Sequence, residues 1–112
     1  MREGEVIKYK ADRIPIGMFF GEYKGFRDNI IELKHGDMVY MFSDGIIDQF
    51  GYVDDERKTI KHFSSQRLAQ LLLSVYDLPV SQQKKMVADA ISAWENGHRQ
   101  IDDIIVIGIR VA

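Results

Sequence analysis

The sequence predicts an α+β fold in which a mostly antiparallel sheet is covered by an antiparallel pair of helices. Three observations predict it. Two solid apolar runs, Met38 to Phe42 and Ile104 to Val111, lie far apart in the chain. Between them stand two segments with apolar residues at i, i+3, i+4 and i+7, the spacing of one helical face. The part before residue 38 is cut by Gly and Pro into short pieces rich in β-branched and aromatic residues.

Each element follows from local chemistry. Glu5 to Ala11 carries Val6, Ile7 and Tyr9 and reads as a strand, broken by Pro15-Ile16-Gly17. Phe19-Phe20 and Phe26 flank a stretch containing Gly21 and Gly25, a hairpin or an irregular loop. Asn29 to Leu33 reads as a short strand. Lys34-His35-Gly36-Asp37 reads as a turn, because Gly supplies the positive φ of a tight reversal. Met38 to Phe42 has no polar group except the Tyr40 hydroxyl, so a strand covered on both faces is expected. Ser64 or Ser65 can cap a helix carrying Leu68, Leu71, Leu72 and Val75, which Asp77-Leu78-Pro79 ends. Ser81 can cap a second helix carrying Val87, Ala90, Ile91 and Trp94, with Asn96-Gly97 as its stop. The shared apolar stripe of this hairpin needs a sheet to cover, which the two apolar runs can supply.

Composition narrows the function. A chain of 112 residues is expected to form one domain, residues 1–112. With 46% hydrophobic and 29% charged residues it is globular rather than disordered. A net charge of −2 gives no electrostatic reason to propose nucleic acid. No apolar stretch reaches the length of a membrane span, and MREGEVIKYK lacks a signal-peptide core. The absence of cysteine excludes disulfides and thiolate metal sites, and a cytoplasmic location is expected. His35, His62 and His98 are too scattered for a metal-ligand motif.

The chemistry concentrates in two acidic turns. Ser43-Asp44-Gly45-Ile46-Ile47-Asp48 follows the first apolar run, and Asp102-Asp103 immediately precedes the second. Carboxylates fixed to strand ends can converge from distant sequence, and they suit hard divalent cations that take oxygen ligands. Plainer readings stand beside this one. Asp44-Gly45 can be an ordinary turn after a strand, and Asp48 can cap a helical turn beginning near Gln49. Asp102-Asp103 places like charges together where Asp is disfavoured; a cation relieves that cost, and a solvated strand entrance tolerates it.

In combination these segments resemble a known family. Val39-Tyr40-Met41-Phe42-Ser43-Asp44-Gly45-Ile46-Ile47-Asp48-Gln49-Phe50 is similar to the strand, S/T-D-G, acid signature of the metal-dependent (PPM, or type-2C) serine/threonine phosphatases. The bacterial sporulation-phosphatase (SpoIIE-like) branch fits best. Gln100-Ile101-Asp102-Asp103-Ile104-Ile105-Val106-Ile107-Gly108 resembles its Q-x-D-D-hydrophobic strand. Arg13-Ile14-Pro15-Ile16-Gly17 resembles its R-x-P-I-G turn, and Gln83 to Trp94 stands where its last helix would be. The resemblance covers essentially the whole chain.

The resemblance implies phosphoserine or phosphothreonine hydrolysis by water activated between two Mn²⁺ or Mg²⁺ ions. It implies that Asp44 and Asp102 are metal ligands, that Gly45 lets the backbone turn beside the site, and that Asp103 and Asp48 support or orient the ligands and water. The family fold is a two-sheet sandwich with helices outside and the catalytic centre between the sheets. The family's N-terminal half supplies an acid-Gly turn whose Asp bridges the metals, and no such turn follows an apolar strand before Asp37 here. The chain therefore reads as the C-terminal half of a PPM-type sandwich. Alone it is expected to hold metal weakly, to lack activity, and to self-associate through an uncovered sheet face. The implied partner is a phosphoprotein, such as a bacterial signalling regulator. Asp54-Asp55-Glu56 with Arg57, Lys58 and Lys61 reads as a solvated loop or as a substrate-facing flap, Lys58 and Lys61 attracting phosphoprotein. The alternative function is a non-catalytic, protein-binding half-domain.

Overall fold

The computed structural model describes residues 1–10, 28–53 and 59–112. Its elements, in order, are β1 (Met38–Phe42), α1 (Asp44–Ile47), β2 (Phe50–Tyr52), β3 (Ile60–His62), α2 (Ser64–Val75), α3 (Val80–Glu95) and β4 (Val106–Arg110). The expectations for 13–17, for the Phe- and Gly-containing stretch at 19–26 and for residues 54–58 lie outside the described residues.

The two apolar runs pair as expected. β1 and β4 are antiparallel, with Met38 opposite Arg110, Tyr40 opposite Gly108 and Phe42 opposite Val106. The pair is extended at one end by Val111 N–H donating to the Asp37 carbonyl at 2.8 Å. Gly36, at φ +87°, makes the reversal that leads into β1. β2 and β3 form a second antiparallel pair, Phe50 opposite His62 and Tyr52 opposite Ile60. This hairpin was not expected. Its signal is the apolar-rich flanks, Phe50-Gly51-Tyr52-Val53 and Thr59-Ile60, on either side of the charged run.

Both helices form where the periodicity puts them. Leu68, Leu72 and Val75 of α2 and Val87 of α3 join Ile46 and Phe63 in the core. Ile91, Trp94, Ile104 and Val106 pack around it. Neither Ser64 nor Ser65 is the N-cap of α2: Phe63 stands there, and Ser64, the first helical residue, accepts the Arg67 N–H on its Oγ at 3.3 Å. Ser81 does not cap α3; Pro79 stands at the N-cap, and its carbonyl accepts the Gln82 and Gln83 N–H groups. Asn96, left-handed at φ 39°, ends α3 as its sequence suggests. Gln83 was not anticipated as a core residue. Its amide donates to the carbonyls of Tyr76 (3.1 Å) and Leu78 (2.8 Å) and accepts from the Tyr40 hydroxyl (2.5 Å), tying the interhelical turn to β1.

Two sequence expectations fail for one reason. Residues 6–10 and 28–34 carry no strand, although their composition favours extended structure. β-propensity describes fitness for a pleated, half-buried surface, and no described residue offers these segments a ladder. Nor is β1 covered on both faces. Met41 is 51% exposed, and across the ladder Ile107 and Ile109 are 46% and 49% exposed. By register Met38, Tyr40, Phe42 and Val106 share one face and Val39, Met41, Ile107 and Ile109 the other. Burial also falls along β1 from Met38 to Phe42, which is 45% exposed.

Candidate functional site

The two acidic turns meet because β1 and β4 are antiparallel and end in register. Phe42 closes β1 opposite Val106, the first residue of β4, so whatever follows one strand adjoins whatever precedes the other. Ser43 fastens this mouth. Its N–H donates to the Ile105 carbonyl at 2.9 Å, and its Oγ accepts the Ile105 N–H at 3.0 Å. The same hydroxyl donates to the Asp103 carbonyl at 2.8 Å. In a regular ladder the Ser43 carbonyl would take the Ile105 N–H. The side chain takes that place here, and the backbone is free to turn into α1.

Gly45 determines how closely the turns approach. It is buried within α1, and its φ is not left-handed. A Cβ there would lie 2.1 Å from the Asp103 carbonyl oxygen and 2.7 Å from its carbon. Glycine is therefore required for contact between two backbones. The expected sharp turn at Asp44-Gly45 is instead the first turn of a short helix.

Asp44 opens α1 and is exposed. Asp102 and Asp103 are exposed in the segment before β4. Asp102 Oδ1 accepts the Asp103 N–H at 2.7 Å, and Gln100 Nε2 donates to the Asp102 carbonyl at 2.9 Å. These bonds shape the turn locally and leave the carboxylates at the solvent-facing mouth. Asp48 is the C-cap of α1, half-buried, its N–H donating to the Asp44 carbonyl at 2.9 Å. It caps no helix starting at Gln49, because Gln49 is only 1% exposed and leads directly into β2. Lys61 is exposed on β3, in the other sheet, and Lys58 lies outside the described residues. Asp44, Gly45, Asp102 and Asp103 are thus drawn to one mouth, with Asp48 one helical turn away.

Among the described residues, no group of three or more His, Asp or Glu side chains is assembled as a metal site. A cavity of about 530 Å³ opens beside β1, lined by Val6, Ile7, Tyr9, Leu33, Met38 and Leu72 among others. None of the acidic candidates lines it, so its apolar walls have no part in the acid chemistry. Ser43 and Gln100 carry bonds at the mouth. Both belong to the S/T-D-G and Q-x-D-D segments, but sequence alone assigns neither a role of its own.

Comparison with known proteins supplies the remaining observations. The family model described as Stage II sporulation protein E (SpoIIE) matches residues 1–112. The solved SiaA-PP2C domain of Pseudomonas aeruginosa is similar at 25% sequence identity with a TM-score of 0.59. The match covers 67% of this chain and 29% of that one, so this chain spans less than a third of the solved domain. No curated protein matches.

Proposed function

The chain belongs to the SpoIIE family of PPM-type phosphatases, and from that premise we propose that it is the C-terminal part of a metal-dependent protein serine/threonine phosphatase. The observation that carries the proposal is the meeting of the Asp44 and Asp102-Asp103 turns at one strand mouth, held by Ser43 and by the Gly45 contact.

The donor set has the right chemistry. Carboxylate oxygens on short, bonded turns suit Mn²⁺ or Mg²⁺, whose hard oxygen coordination two carboxylates fill only in part. Bound divalent ions supply an acidified water and a counter-charge for the phosphoryl oxygens. In this reading Asp44 and Asp102 are the ligands this chain contributes. Asp103 shapes the turn that presents Asp102, Asp48 orients water from the far end of α1, and Lys61 with Lys58 meets the phosphoprotein. The further ligands come from the sandwich half that precedes this one in the family fold.

Alone, the chain is inactive. With p-nitrophenyl phosphate and millimolar Mn²⁺ we expect no turnover above background; turnover that Asp44→Asn abolishes would overturn this. The face formed by Val39, Met41, Ile107 and Ile109 supports a second reading, a half-domain kept for protein binding. In isolation that face is covered by a second copy in a two-fold dimer. Light scattering should report twice the chain mass at micromolar concentration, and a clean monomer contradicts the dimer.

A further inference from the structure

We propose that Ser43 is a positioning residue of this site, setting the separation between the Asp44 and Asp102 turns through its hydroxyl; this rests on the metal-site reading above. The hydroxyl is used twice. It accepts the Ile105 N–H at 3.0 Å and donates to the Asp103 carbonyl at 2.8 Å. Its own N–H is committed to the Ile105 carbonyl. One residue therefore bonds to both Asp103 and Ile105, the two residues that flank Ile104, and the next residue in its own chain is Asp44.

An ordinary ladder rung would not do this. A backbone carbonyl accepts but cannot donate, so it could hold the Ile105 N–H and leave the Asp103 carbonyl unanswered. The hydroxyl does both, and it draws the Asp103 backbone toward α1 until the Gly45 Cα bears on it. Ser43 draws in the Asp103 carbonyl, and Gly45, which meets the same carbonyl, limits how far it comes. Together they fix the mouth, while the carboxylates of Asp44 and Asp102 remain exposed, Asp102 with one oxygen bonded to the Asp103 N–H and the other open to a ligand. Ser43 touches neither metal nor substrate in this account, and its effect reaches the ligands through the backbone.

The test compares Ser43→Ala and Ser43→Thr with the parent chain, using two readouts. The first is amide hydrogen exchange at Ile105 without metal. The second is Mn²⁺ titration followed by paramagnetic broadening of the amides around Asp44 and Asp102, which detects weak binding. We expect Ser43→Ala to speed Ile105 exchange about tenfold, equivalent to about 1.4 kcal/mol, and to weaken Mn²⁺ binding several-fold. Ser43→Thr, which keeps the hydroxyl, should restore both. If Ser43→Ala speeds exchange yet leaves the Mn²⁺ titration unchanged, Ser43 is structural only and the proposal is overturned, with the metal reading intact. Failure of Thr to restore either readout also overturns it, since the hydroxyl is then not the operative group. If Mn²⁺ broadens no amide near Asp44 in the parent chain, the metal reading falls and the positioning role falls with it.

Discussion

Replacing Gly45 with alanine opposes two well-defined effects, and the structure indicates which wins. Gly45 is in α1 with an ordinary φ, so helix propensity alone favours Gly45→Ala by up to ~1 kcal/mol. The added methyl, however, would lie 2.1 Å from the Asp103 carbonyl oxygen, where Cβ contacts below 3.0 Å are essentially never found. The obstacle is backbone on both sides and cannot rotate away. The mouth must open by about 1 Å, at an overpacking cost of ~1–3 kcal/mol. Opening also stretches the two Ser43 hydroxyl bonds, each contributing about 1 kcal/mol. The net expectation is destabilisation of about 2–3 kcal/mol. For a chain of this size that lowers the thermal midpoint by roughly 10 °C. Urea unfolding followed by circular dichroism measures the free energy, and Ile105 amide exchange reports whether the mouth has opened. A Gly45→Ala variant as stable as the parent, with unchanged Ile105 exchange, refutes the reasoning, since propensity would then outweigh the contact.

Two pH effects are also expected. Burial pushes the Tyr40 phenol up to about 12, with the Arg110 charge acting in the opposite direction. Its contribution to stability is fully present below the unfolded value near 10 and is lost as pH rises from there to about 12. Tyr40→Phe should remove that alkaline decline and cost about 1 kcal/mol at neutral pH through the lost bond to Gln83; an identical alkaline limb in both proteins contradicts the assignment. The Asp37 carboxyl is held well below its usual range, first by the Arg2 guanidinium, which donates to both oxygens, and then by the Lys34 N–H. That contribution is present above the unfolded value near 4 and is lost as pH falls below it toward the depressed folded value. The stability gap between parent and Asp37→Asn should therefore narrow under acid, and a gap of constant size down to strongly acid pH contradicts it.

How much was legible depended on whether a residue's role is decided locally. The faces of α2 and α3 follow from periodicity because a helix satisfies its own backbone and needs only a surface to cover. Their stop signals, Pro79 and Asn96, act within a few residues and also read correctly. The strands were harder. Met38–Phe42 was recognisable by its solid apolar run, whereas Asn29 to Leu33, with three apolar residues in five, forms no strand, because no described residue pairs with it in a ladder. The β2–β3 hairpin was passed over as a charged loop, its three-residue strands being too short to show alternation.

The acidic site divides in the same way. Sequence determined which residues carry charge, and the order of the S/T-D-G and Q-x-D-D motifs was enough to indicate the family, because motif order survives without coordinates. It also determined Gly at position 45, though not the reason for it. Only the tertiary structure decided that reason. Pairing Phe42 with Val106 brings residues nearly sixty positions apart to one mouth, where Gly45 is needed for backbone contact and the Ser43 hydroxyl serves as a rung of the ladder. Those roles depend on which strand lies alongside and in what register, and neither is encoded within a few residues of Ser43.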